Sequence, residues 1–135
     1  MLPNDIQRKN LLTLDDWARS WAREESDKAI GADIVRLLTP FLTDLVDQGL
    51  ALNTLRRHKG NLYYLGSRVL DLMTQFPEDA HATVGEALDD ILVYCEYEGP
   101  EMRDASEAEQ RSFDATCRRV YKFLGLQAGR QESKS

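Results

Sequence analysis

Between Asn53 and Phe76 the hydrophobic positions fall on one helical stripe. Leu55, Leu62, Leu65, Val69, Leu72 and Phe76 recur at three- and four-residue spacings, and His58 fills the one gap. No proline interrupts the run and Pro77 closes it. This pattern predicts a helix of about six turns with a single apolar seam, capped at its start by Asn53. Ahead of it, Ile34, Val35, Leu37, Leu38, Phe41, Leu42, Leu45 and Val46 predict a dense central helix from near Asp33 to Gly49. Pro40 within it either kinks the helix or restarts it with Thr39 as a new cap.

Three further segments complete the pattern. Thr13 and Asp16 form a capping-box-like start to a helix carrying Leu14, Trp17, Trp21 and Ala22, which Gly31 ends. Thr83 and Glu86 open a fourth helix with Val84, Leu88, Ile91, Leu92 and Cys95, stopped by Gly99-Pro100. Ser106 and Glu109 open a last helix whose seam is Phe113, Cys117, Val120 and Leu124, with Phe123 beside it, ending at Gly125. β-Branched residues never alternate over the length of a strand, so the fold class is all-α, a compact bundle of four to five helices. The expected organisation is an N-terminal arm over 1–12, one helical domain over 13–125, and a disordered tail over 126–135. Gly60 and Gly66 lie inside the long helix, each costing ~1 kcal/mol relative to Ala. That cost points to close approach of a neighbouring helix, or of a ligand backbone near Gly60.

Composition narrows the class. No apolar run approaches the ~20 residues of a membrane span, and residues 1–10 lack a signal-type apolar core, so the cytoplasm is the expected location. The two cysteines, Cys95 and Cys117, make no CxxC pair. Two buried thiols in a reducing compartment are the expected state, with a disulfide the alternative. His58 and His81 have no partner at a metal-ligand spacing, so neither a metal nor another cofactor is expected. There is no glycine-rich phosphate loop, GxSxG, Cys–His setting or HExxH helix, and the expectation is a protein that is not an enzyme. Asp89-Asp90 and the string Glu96, Glu98, Glu101 read as a solvated acidic face, because adjacent helical positions diverge and cannot converge on one ion.

Charge is unevenly distributed beneath a net value of -6. Residues 1–60 balance acids against bases, whereas Glu78 to Asp114 is strongly acidic with only Arg103 and Arg111 in opposition. Two basic clusters stand out: Arg56, Arg57 and Lys59 in the opening turns of the long helix, and Arg118, Arg119 and Lys122 in the last. Cations at a helix start oppose its dipole, which hints at a partner beyond the helix itself. Trp17 and Trp21, four residues apart, serve as core anchors or as an exposed partner-binding pair.

The string from Phe41 to His58, FLTDLVDQGLALNTLRRH, resembles the start of the core-binding, SAM-like N-terminal domain of phage integrases and other tyrosine recombinases. Gly49-Leu50, Thr54, Arg57 and Asn61-Leu62 fit that family's turn and long helix. The stretch Arg118-Arg119-Val120-Tyr121-Lys122-Phe123-Leu124 resembles the basic, aromatic character of its last helix. The resemblance covers roughly Thr39 to Leu124 and lacks the recombinase catalytic domain. It implies a four-helix bundle on one face of duplex DNA. The implied phosphate contacts are Thr54, Arg57 and Asn61 with Arg118, Arg119 and Lys122; Arg56 and Lys59 join them from the basic cluster. The acidic stretch and the Trp-bearing helix in front depart from the family. Two functions therefore stand as expectations. One is a small DNA-binding or recombination-accessory module. The other is a protein-interaction module, an inhibitor or oligomeric adaptor, using its acidic face or Trp17 and Trp21 to bind a protein partner or a second copy.

Overall fold

The computed structural model describes residues 1–75, 81, 83–94 and 99–134. Phe76, Pro77, Glu78, Cys95, Glu96 and Glu98, all named above, lie outside the described residues. Six helices appear among the described residues: α1 (Asp5–Leu11), α2 (Trp17–Trp21), α3 (Asp27–Asp47), α4 (Leu52–Gln75), α5 (Val84–Tyr94) and α6 (Glu107–Lys134). No strand occurs there, so the fold is all-α. None of the described helices is long and apolar enough to cross a membrane. The chain groups into two compact units, Met1–Leu88 and Asp89–Ser135, whereas the sequence pattern suggests one domain over 13–125. The boundary falls inside α5.

The first unit is built around α3 and α4. Ile34, Leu38, Leu42 and Leu45 from α3 and Leu55, Leu62, Leu65 and Val69 from α4 are fully or almost fully buried. Each such side chain contributes ~1.5–3 kcal/mol relative to exposure. His58 is 3% exposed, in the seam position its spacing predicts. α3 packs on α4, and α2 packs on both.

Several boundaries differ from the sequence pattern, each for a local reason. Residues 1–12 are no simple arm, since Asn4 and Gln7 close a full capping box that starts α1. Thr13 caps nothing downstream; its hydroxyl donates back to the Lys9 carbonyl (2.7 Å). The expected Thr13–Gly31 helix is broken after Trp21, where Ala22 is extended. The turn that follows is held by the buried Asp27 carboxylate, which accepts from the Arg23 and Glu24 amides at 3.0 and 3.2 Å.

Gly31 is therefore no stop signal. It lies inside α3, where an added Cβ would stand 2.8 Å from the Ala18 Cα of α2, so its missing side chain lets the two helices cross closely. Pro40 neither breaks nor restarts α3. The Thr39 and Thr43 hydroxyls donate to Val35 and Thr39 carbonyls around it (2.6 and 2.9 Å), so Thr39 bonds backward and is no cap. α3 ends at a left-handed Gly49 (φ 77°).

In the second unit the Ser106–Glu109 capping box forms as expected, with reciprocal bonds of 3.1 and 3.2 Å. Phe113, Thr116, Cys117 and Val120 form the buried side of α6. The segment 99–102 is strapped onto α6. Gln110 accepts from the Met102 amide (2.7 Å) and donates to the Pro100 carbonyl (3.2 Å), and Asp114 accepts from the Gly99 amide (3.2 Å). α6 does not stop at Gly125; it continues to Lys134, across most of the run expected to be a disordered tail.

Candidate functional site

α4 begins at Leu52, so Asn53 is its second residue and no cap. Arg56 and Arg57 consequently sit beyond the first turn, where the helix dipole has largely faded, and the dipole argument for a partner loses its force. Thr54, in the first turn, and Asn61, seven residues on and therefore on the same face, are both half-buried. Arg56 and Arg57 are exposed on the face opposite the seam, in one stripe with Asn53 and Gly60.

Lys59 has a different task. Its Nζ donates to the Asn10 carbonyl (2.8 Å) and, more distantly, to the Thr13 carbonyl (3.5 Å), placing a cation at the C-terminal end of α1. Burial pushes its ammonium below the ordinary value of 10.5. The Leu52 amide donates to the Met1 carbonyl (2.8 Å). The N-terminal segment is thus fastened along the first two turns of α4 at both ends, and Lys59 belongs to that joint.

This joint brings in two cations that the sequence pattern left out, Arg8 and Lys9 of α1. Across the first unit, cations divide sharply. Arg19 pairs with Asp16, Arg23 and Arg68 with Asp71, Lys28 with Glu25, and Arg36 with Asp33. Lys59 is engaged with carbonyls. Among the described residues, Arg8, Lys9, Arg56 and Arg57 have no carboxylate within ion-pair distance, and all four are exposed. They all lie on α1 or the opening turns of α4, where Asp5 is the one acid among residues 4–11 and 52–63. No local pattern could have grouped Arg8 with Arg56, because the two are 48 positions apart.

The second cluster lies in the other unit. Arg118, Arg119 and Lys122 are exposed on α6, with Arg118 and Lys122 one turn apart. Each cluster stands within its own unit.

Of the two expected uses of Trp17 and Trp21, core anchoring is what the structure shows, and the exposed partner-binding pair is corrected. Trp17 and Trp21 are 9% and 8% exposed and belong to the core of the first unit. They form an aromatic cluster with Tyr63 of α4, with centroid separations of 5.4–5.5 Å. Trp21 Nε1 donates to the Tyr63 carbonyl (3.2 Å), and the Ser20 hydroxyl pairs with the Tyr63 hydroxyl. Gly66 makes room for this indole: a Cβ there would stand 2.5 Å from Trp21 ring carbons and 3.2 Å from Ile34 Cγ2. The exposed large apolar side chains among the described residues are instead Met1, Leu2, Ile6 and Val93.

No three His, Cys, Asp or Glu side chains among the described residues come together as a metal site. No family model, curated protein or solved structure matches this chain.

Proposed function

We propose that the protein is a small helical module that contacts the phosphates of duplex DNA, as an accessory to recombination or a related DNA transaction and without catalytic chemistry of its own. The observation that carries this reading is the segregation of unpaired cations. Five other Lys and Arg residues of the first unit are matched to carboxylates, while Arg8 and Lys9 on α1 and Arg56 and Arg57 on the adjoining turns of α4 have no acid partner among the described residues. Exposed guanidiniums without a carboxylate are available to bidentate phosphate. Arg118, Arg119 and Lys122 supply a second phosphate-contacting surface in the other unit. The integrase-like pattern around Gly49-Leu50, Thr54 and Arg57 fits the same use of α4, with Thr54 and Asn61 beside the arginines.

A labelled duplex titrated by fluorescence anisotropy across a salt series tests this. The expected dissociation constant is on the order of 10⁻⁶–10⁻⁴ M, with binding weakening as salt rises. The double variant Arg56→Ala/Arg57→Ala lowers the log–log salt slope by about 2, because each arginine removed leaves one phosphate with its counterions. Absence of binding by the parent protein at low ionic strength refutes the reading.

A second reading is a protein-interaction module, now resting on exposed Met1, Leu2 and Ile6 in place of the buried tryptophans. Light scattering on the parent and on Ile6→Asp tests it. A monomer in both, with no change in any partner's binding, discards it.

A further inference from the structure

Among the described residues, two glycines inside helices have empty space where a side chain would go: Gly60 in α4 and Gly125 in α6. Both are exposed. Of the other helical glycines whose surroundings are described, Gly31 packs against Ala18 and Gly66 against Trp21, while Gly85 stands in the first turn of α5 next to Thr83. Helix-interior glycine is disfavoured relative to alanine, and neither Gly60 nor Gly125 returns anything to packing. Both occupy the same kind of place. Gly60 follows Arg56 and Arg57 by four and three residues, and Gly125 follows Lys122 by three, so each lies on the helix face of a basic cluster, one turn on. The coincidence occurs in each unit separately.

We infer that Gly60 and Gly125 are bare-backbone approach points, where a phosphodiester strand lies directly against the helix while the preceding cations reach around its oxygens. Without a Cβ, the strand can close to van der Waals contact with the helix backbone, within range of weak Cα–H···O contacts, and the arginine reach is shortened. This deepens the DNA-binding reading and rests on it.

Gly60→Ala, Gly125→Ala and the double variant are compared with the parent by thermal melting and by duplex anisotropy over the same salt series. Each single variant is expected to melt at or above the parent temperature and to bind the duplex about three- to tenfold more weakly, the scale of one weakened interaction. The salt slope stays unchanged, because no charge is removed; Arg56→Ala/Arg57→Ala, by contrast, reduces it. Glycine variants that bind as the parent does overturn this inference while leaving the DNA reading intact. A lower melting temperature also overturns it, because the glycine would then serve packing. A parent protein that fails to bind, while remaining folded, overturns both.

Discussion

Gly60 and Gly66 lie less than two turns apart on α4, yet replacing each with alanine should move stability in opposite directions. At position 60 the new methyl meets nothing within 4 Å. The gain is the intrinsic helix preference, ~1 kcal/mol. At position 66 the same methyl would lie 2.5 Å from two ring carbons of Trp21, against an ordinary carbon–carbon contact of ~3.5–4.0 Å. The indole cannot swing away freely. It is packed on Trp17 and Tyr63, bonded through Nε1 to the Tyr63 carbonyl, and buried.

Displacing the ring by about 1 Å is an overpacking change of ~1–3 kcal/mol. It also weakens a hydrogen bond of ~1 kcal/mol and an aromatic contact of similar size. After the ~1 kcal/mol helix gain is set against this, Gly66→Ala should be destabilised by about 2 kcal/mol. Melting followed by circular dichroism reads the difference. With ~1 kcal/mol shifting the midpoint of a chain this size by roughly 3–6 °C, Gly60→Ala should melt several degrees above the parent and Gly66→Ala about twice as far below it. Tryptophan fluorescence should change in Gly66→Ala alone. A Gly66→Ala protein as stable as Gly60→Ala would refute the packing of Trp21 over α4.

Two further outcomes follow from contacts that tie segments down. The Lys59 ammonium is expected to titrate below the other lysines in a carbon-detected NMR titration, because burial disfavours its charged form. In the window between its folded value and 10.5 the unfolded chain binds more protons, so this group's contribution to stability rises with pH there; a Lys59 that titrates at or above 10.5 contradicts the burial of its ammonium. Removing the strap with Gln110→Ala frees the Met102 amide and the Pro100 carbonyl, and should destabilise the second unit by ~1–2 kcal/mol. Hydrogen exchange should then quicken at the Met102 amide, and unchanged exchange there would show that Gln110 holds nothing.

The helical class, the α4 seam and the Ser106–Glu109 cap were legible because each is written in residues a few positions apart. Leu55, His58, Leu62, Leu65 and Val69 all face the interior as their spacing requires. The start of α1 was equally local, since Asn4 and Gln7 carry a capping box, but its helix has seven residues and only a weak periodic signal. Gly31 misled for the opposite reason. A glycine after a helical pattern resembles a stop, and only the proximity of Ala18 shows that it serves a crossing.

What the sequence by itself determined is the helical class and the inward face of the long helices, since periodicity and caps act within one or two turns. The tertiary structure decided how those helices use their residues. Trp21 reaches Tyr63 across 42 positions and Lys59 reaches Asn10 across 49. Those two contacts bury the tryptophans, draw Lys59 into a joint and set Arg8 and Lys9 on the helix pair that carries Arg56 and Arg57. The ion pairs themselves are mostly local, since Arg19, Lys28, Arg36 and Arg68 each meet an acid three positions away, whereas Arg23 reaches Asp71 only through the fold; the placing of Arg8 and Lys9 against α4 is what no local pattern encodes.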